Sequence, residues 1–204
     1  MKKLVVVIHG GTSAFPTYED FLDNLKTKPI DIKKFNGQGD WKARLPHVLG
    51  EEYEVIYPRM PNKENARYSE WKIWFERFIP FMEDGVIFVG HSLGGIFLAK
   101  YLSEEDFPKK ISGVFLVAAP FEMRGKGETQ RVVSEFVLPT SLEKLERQGG
   151  SIFLYHSKDD PIVNIDELGK YRASLPNATA RIFQDRKHQN QQEFPEIVEA
   201  IRNL

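Results

Sequence analysis

The chain has 204 residues, 41% hydrophobic and 12% aromatic, which allows a sizeable core and excludes a disordered composition. A formal net charge of −1 supplies no global attraction to nucleic acid or to an anionic membrane. The absence of cysteine excludes disulfides, thiol catalysis and cysteine-ligated metal, in keeping with a reducing compartment.

The length suits one α/β domain over residues 1–204. Met1-Lys2-Lys3 precedes only the short apolar run Leu4–Ile8, too brief for a secretory signal, and no segment approaches the roughly 18 apolar residues of a membrane span. A soluble, cytoplasmic protein is expected. Neither repeats nor linker-like tracts interrupt the sequence.

In chain order, a strand is expected over Leu4–Ile8, ending in His9-Gly10-Gly11-Thr12, then a helix over Asp40–Leu49. Strand Tyr53–Tyr57 follows, running into Pro58-Arg59-Met60-Pro61. A helix over Asn65–Phe81 is read from Trp71, Trp74, Phe75 and Phe78, which recur at helical spacing. Next come strand Val86–Val89, helix Leu93–Ser103, strand Gly113–Ala118 and helix Ser141–Gln148. Strand Ile152–Tyr155, helix Ile165–Ser174, strand Ala180–Phe183 and helix Glu193–Arg202 complete the chain. The strands are almost continuously apolar, as in a parallel sheet covered on both faces. Their alternation with helices requires crossover connections. The expected fold is therefore a doubly wound, mostly parallel sheet of about six strands flanked by helices. In such sheets the chemistry lies beyond the carboxyl ends of the strands.

At one such end stands Gly90-His91-Ser92-Leu93-Gly94, with an apolar strand before it and a helix after it. This is the G-x-S-x-G arrangement that raises a serine hydroxyl on a sharp strand-to-helix turn. Glycines two before and two after the serine let the chains pass, and the helix N-terminus favours a developing anion. Ser92 is the candidate nucleophile.

A serine hydroxyl needs a base in reach and a carboxylate to orient that base. After such a turn the acid comes first along the chain and the histidine second. Of the 5 histidines, only His156 and His188 follow Ser92 by any distance. His156 ends a strand just before Ser157-Lys158-Asp159-Asp160-Pro161, with no strand left to carry it across the site. His188 lies in the polar loop between the last strand and the last helix and is the candidate base. Asp160 is the preferred acid, held extended by Pro161; Asp159 would be a turn or solvent-facing residue, and Asp185 is a weaker third choice. For the oxyanion, the Leu93 amide is one donor. The second comes from the glycine loop after the first strand, with Gly11 preferred and Thr12 the alternative.

These motifs, Gly90-His91-Ser92-Leu93-Gly94, Ser157-Lys158-Asp159-Asp160-Pro161 and Lys187-His188-Gln189-Asn190, resemble those of α/β-hydrolases. More narrowly they resemble the small serine-hydrolase group typified by retinoblastoma-binding protein nine, over most of the chain. That resemblance implies a compact α/β-hydrolase fold without a large cap domain, and it favours Asp160 as the acid. Against the larger hydrolases whose sheet begins with an antiparallel hairpin ahead of the His-Gly loop, a smaller, nearly all-parallel sheet of about six strands is expected.

Between Pro120 and Gly150 no strong strand is expected. Phe121, Met123, Phe136, Val137 and Leu138 there suit either a small cap and pocket wall, accepting a modest acyl group, or simple completion of the core. Arg59 reads more readily as a structural ion pair than as a receptor for an acidic substrate. Trp41, Trp71 and Trp74 read as packing residues. The expected activity is hydrolysis of small-molecule carboxylic esters with no metal or organic cofactor and no nucleic-acid or membrane partner. Amide or peptide hydrolysis by the same residues, and a non-catalytic interaction module on this scaffold, are the alternatives. The sequence names no protein partner.

Overall fold

The computed structural model describes residues 2–12, 15, 17–30, 32, 39–123 and 134–204. Strands β1 (Lys3–Ile8), β2 (Tyr53–Ile56), β3 (Val86–His91), β4 (Ile111–Val117), β5 (Ser151–Ser157) and β6 (Thr179–Phe183) form one 6-stranded sheet. Their order is β2-β1-β3-β4-β5-β6, and every neighbouring pair is parallel. The chain steps outward from β1 to β2, then returns to the other side of β1 and continues from β3 to β6. The direction of winding thus reverses between β1 and β3, and a crevice opens above their carboxyl ends.

The described helices are α1 (Tyr18–Thr27), α2 (Trp41–Leu49), α3 (Tyr68–Glu76), α4 (Leu93–Glu104), α5 (Glu143–Gln148), α6 (Asp166–Ser174) and α7 (Pro195–Arg202). Alternation along the strands divides their apolar residues between two cores. Val6, Ile8, Phe88, Val114, Leu116 and Leu154 face α3, α4, α5 and α6, where Trp71, Phe75, Phe97, Leu145 and Leu168 meet them. Val5, Val7, Ile87, Val89, Phe115 and Val117 face α2 and α7, meeting Trp41, Leu45, Ile197 and Ile201. Strand runs that look uniformly apolar in sequence therefore serve two different layers. No described helix is long and apolar enough to cross a membrane.

The six expected strands and six expected helices are all present, with shifted ends. The largest shift is in α3, expected over Asn65–Phe81 but observed only over Tyr68–Glu76. Arg67 is extended (φ −119°, ψ 132°) and opens the helix late. At the far end the amides of Arg77 and Phe78 turn to the carbonyls of Trp74 and Phe75, three residues back, and the chain tightens into a 3₁₀ turn at Ile79–Phe81. Pro80 has no amide to continue the ladder. Helix α1 was not expected. Thr17 and Asp20 cap it reciprocally, with Thr17 Oγ1 accepting the Asp20 amide at 3.1 Å and Asp20 Oδ2 accepting the Thr17 amide at 3.2 Å. The Thr17-x-x-Asp20 spacing before Phe21, Leu22 and Leu25 was its sequence signature. Within the Pro120–Gly150 connection, Phe136 is fully buried against Tyr68 and Trp71, so this residue completes the core. Residues 124–133 lie outside the described part.

Phe75 anchors the α3 layer, its ring packed against Phe88, Phe97 and Tyr101 at centroid distances of 5.7, 5.5 and 5.0 Å. Phe75→Ala is expected to lower the unfolding free energy by about 3–5 kcal/mol, through lost transfer energy and the cavity left behind. Urea denaturation checks this, and a loss below about 1 kcal/mol would show that the layer collapses around the gap.

Candidate active site

Ser92 joins β3 to α4 with φ 55° and ψ −119°, a backbone region that non-glycine residues seldom adopt. Such a conformation costs of order 1–3 kcal/mol and persists only where its surroundings dictate it. Here they do. The Ser92 amide donates to the Val117 carbonyl at 2.8 Å, and the Ser92 carbonyl accepts the Gly95 amide at 2.9 Å. A methyl on Gly90 would lie 2.5 Å from the Gly94 carbonyl oxygen, and one on Gly94 would overlap the carbonyl of Ile8. Only bare backbone lets the first turn of α4 close against both β1 and β3, which leaves Ser92 partly exposed above the sheet edge at the N-terminus of α4.

The loop after β1 lies beside it. His9 Nδ1–H donates to the Gly10 carbonyl at 2.7 Å, and His9 Nε2 accepts the Met60 amide at 3.0 Å. Burial lowers the pKa of this imidazole, which supports the neutral form that both contacts require. The Thr12 amide donates to the Lys63 carbonyl at 2.7 Å, and the Thr12 carbonyl accepts the Ala66 amide at 2.8 Å. The two candidates for the second oxyanion donor therefore differ. Thr12 has its amide engaged, whereas the Gly11 and Leu93 amides meet no protein acceptor among the described residues.

Asp160 and His188 come together across the ends of β5 and β6. His188 Nδ1 donates to Asp160 Oδ2 at 2.9 Å and lies 3.1 Å from Oδ1. The amides of Ile162 and Val163 donate to Asp160 Oδ1 at 2.8 and 3.0 Å. The Asp160 side chain is fully buried. Burial by itself pushes its carboxyl upward, but the hydrogen bonds from His188, Val163 and Ile162 outweigh it and hold the pKa below the ordinary value. The neighbouring Asp159 does more than face solvent: its Oδ1 accepts Ser157 Oγ at 2.6 Å and the Lys187 amide at 2.8 Å. Ser157 Oγ in turn accepts the Arg186 amide at 2.9 Å. His188 is thus carried on a loop tied down on its acid side. Lys187 and Gln189, which flank it, both have positive φ, 48° and 53°. On the other side Trp41 Nε1 donates to the Gln189 carbonyl at 2.7 Å.

His91 links this loop to the serine turn. Its Nε2–H donates to the His188 carbonyl at 2.8 Å, and the two rings lie 5.0 Å apart. Full burial depresses its pKa well below the usual imidazole range, so it acts as a neutral donor. Among the described residues no hydrogen bond joins Ser92 Oγ to the His188 ring. His156, set aside as a base, donates Nε2–H to the Val163 carbonyl at 2.9 Å and braces the acid turn. Asp185 is exposed. Arg59 is exposed and forms no ion pair among the described residues, against the structural pairing expected for it.

His9, His91, Ser157 and Asp159 escaped the sequence reading as supporting groups. For His91 a signal existed: strand alternation places residue 91 on the same face as Ile87 and Val89, toward α2 and α7. Partners 97 residues apart, as His91 and His188 are, leave no local trace.

A cleft of about 580 Å³ opens at Ser92, bordered by Gly11, Thr12, Leu93, Pro120, Met123, Ile162, Val163 and Lys170 among others. A second cleft of about 510 Å³ between α2 and α7 is bordered by none of Ser92, Asp160, His188, Gly11 and Leu93. No group of three or more His, Cys, Asp or Glu side chains among the described residues is arranged to hold a metal ion.

The parallel sheet, its winding reversal and the strand–serine–helix turn define an α/β-hydrolase fold. The ydeN gene product of B. subtilis matches it with a TM-score of 0.76 at 17% identity, over 99% of this chain and 98% of that one. A lipase-esterase related protein from Clostridium acetobutylicum matches with a TM-score of 0.64 at 10% identity, over 98% of this chain and 93% of that one. Est1E from Butyrivibrio proteoclasticus matches with a TM-score of 0.63 at 11% identity, over 99% and 86%. No curated protein sequence matches the chain. Residues 35–199 match the family model described as Serine hydrolase, and the chain belongs to that family.

The Asp160 contacts have a pH consequence. Because folding lowers this carboxyl below its unfolded value of about 4, the stabilisation it confers is complete above that value and is lost as pH falls through the folded pKa. The stability difference between the parent and Asp160→Asn is therefore expected to be greatest near neutrality and to shrink below about pH 4. Urea titrations across that range check it, and a difference independent of pH would contradict the assignment.

Proposed function

We propose that this serine hydrolase cleaves carboxylic esters of small or medium acyl groups, with Ser92 as nucleophile, His188 as base and Asp160 as the carboxylate that orients it. The observation that carries this reading is the buried Asp160–His188 pair at 2.9 Å, held by the His91–His188 hydrogen bond beside the turn that presents Ser92. Hydrogen bonds used in catalysis are often long in unliganded enzymes and tighten with substrate bound, so the separate Ser92 hydroxyl is compatible with the role.

In the proposed reaction Ser92 Oγ attacks the ester carbonyl carbon while His188 Nε2 takes its proton. The carbonyl π electrons move to oxygen, where the Gly11 and Leu93 amides stabilise the charge; Thr12, whose amide is engaged, is the poorer donor. Collapse breaks the bond to the leaving oxygen, which receives the proton from His188 and departs as the alcohol. Water then attacks the acyl-serine, giving its proton to the same imidazole, and the second collapse releases the carboxylic acid and restores Ser92. Asp160 stays ionised throughout and stabilises the imidazolium. Among the cleft residues, Leu93, Pro120, Met123, Ile162 and Val163 offer an apolar surface suited to the acyl chain.

A fluorophosphonate probe, which reacts with activated serines, is expected to label the parent and to leave Ser92→Ala unlabelled. His188→Ala is expected to lower kcat/KM for p-nitrophenyl butyrate by about 10³-fold or more. Labelling that persists in Ser92→Ala overturns the nucleophile. An unlabelled parent points to a non-catalytic scaffold, and preference for a p-nitroanilide over the matching ester points to amide hydrolysis.

A further inference from the structure

One wall of the cleft at Ser92 is not shaped by its own packing alone. The segment that leaves β4, Pro120–Met123, contributes Pro120, Glu122 and Met123 to the lining. Helix α6 grips its backbone at successive residues. Glu167, buried on α6, accepts the Phe121 amide at 2.9 Å and the Glu122 amide at 2.7 Å, both on Oε2. One helical turn later, Tyr171 Oη donates to the Pro120 carbonyl at 2.9 Å, and its ring meets that of Phe121 edge-on at 5.0 Å. The other Glu167 oxygen is held by Lys170 at 2.7 Å, and Lys170 also reaches Glu122 at 3.0 Å.

This arrangement exceeds what packing needs. The last bond to β5 is made by the Ala118 amide, which donates to the Tyr155 carbonyl at 2.8 Å, and the Pro120 carbonyl and the Phe121 and Glu122 amides are met from α6 instead. A carboxylate accepting two amides is stronger than two neutral bonds, and the ion pair with Lys170 fixes its orientation. The i, i+4 spacing of Glu167 and Tyr171 sets both groups on the same face of α6, so the wall is registered to that helix. Glu167 also borders the cleft itself. The acid turn that carries Asp160 leads directly into α6, so this wall and the proposed acid share one rigid support.

We infer that Glu167 and Tyr171 are positioning residues that set the Pro120–Met123 wall and thereby determine which lengths of apolar acyl chain the enzyme accepts. The inference rests on the ester-hydrolase reading above. Neither residue is assigned a part in bond making. Their effect is on where the acyl chain lies, so it is read in KM and in chain-length preference. Fixing such a wall matters because one methylene gained or lost in an apolar pocket changes kcat/KM by about 10-fold or more.

The test compares p-nitrophenyl acetate, butyrate, hexanoate and octanoate, with the leaving group held constant, in the parent, Glu167→Ala, Glu167→Gln and Tyr171→Phe. In Glu167→Ala the ratio of kcat/KM for the best longer ester to that for acetate is expected to fall about tenfold, carried mainly by KM. Glu167→Gln is expected to restore most of that ratio, because its side-chain carbonyl still accepts both amides. Tyr171→Phe is expected to shift the ratio in the same direction by about threefold, and it decides the matter if Glu167→Ala does not fold. Unchanged ratios in folded variants of a parent that fluorophosphonate labels overturn this inference and leave the hydrolase reading standing. Equal losses for every ester, carried by kcat, also overturn it. A parent that is not labelled removes the hydrolase reading and this inference with it.

Discussion

The close approach of the first turn of α4 to the ends of β1 and β3 is the contact on which the remaining geometry depends. Gly90 and Gly94 allow it, since any side-chain carbon at either position would meet backbone carbonyl or carbon atoms that cannot yield. The closeness forces Ser92 to a positive φ and leaves its hydroxyl and the Leu93 amide at the N-terminal end of the helix. It also draws the loop after β1 to the same point. Strain at one residue, of order 1–3 kcal/mol, is outweighed by the two buried layers that the strand and the helix join.

The acid–base side is built differently, by polar ties between loops rather than by glycine. Asp160 receives two amides and an imidazole, while Asp159 and Ser157 hold the backbone of the His188 loop. His91 and Trp41 then attach that loop to β3 and α2. Two adjacent aspartates thus divide the work, one toward the ring and one toward the chain that carries it. Burial supplies neutral histidines where donors of fixed sense are needed: both His9 and His91 are shifted downward by desolvation and each bonds a backbone carbonyl. Among the described residues no carboxylate is paired with either ring, as a protonated imidazole in a low-dielectric setting would need.

The two sides of the sheet edge serve different ends. The layer holding α2 and α7 carries the supports of His188, whereas the cleft opens toward α6 and the segment leaving β4. The two sides meet at the turn after β5, where Ile162 and Val163 border the cleft while their amides hold Asp160, so changes to that wall reach the proposed acid.

The sequence by itself determined the parallel two-layered architecture, because apolar strands alternating with amphipathic helices can be buried on both faces in few other ways. It also marked Ser92 as a candidate nucleophile through the glycine spacing, His188 as a candidate base through its order after it, and Asp160 as the preferred acid through Pro161 and the family resemblance. Local signals failed where local rules compete: α3 ended early once 3₁₀ bonds and Pro80 replaced the helical ladder, and the capping box of α1 went unread. What only the tertiary structure decided were the long-range pairings, namely His91 with His188, His9 with Met60, Thr12 with Lys63, and Glu167 with Phe121 and Glu122. The Thr12–Lys63 bond separated Gly11 from Thr12, and the Asp159–Lys187 bond showed Asp159 as a brace. A hydrogen bond between segments far apart along the chain has no periodicity and no spacing of its own; it exists only once packing has brought donor and acceptor together.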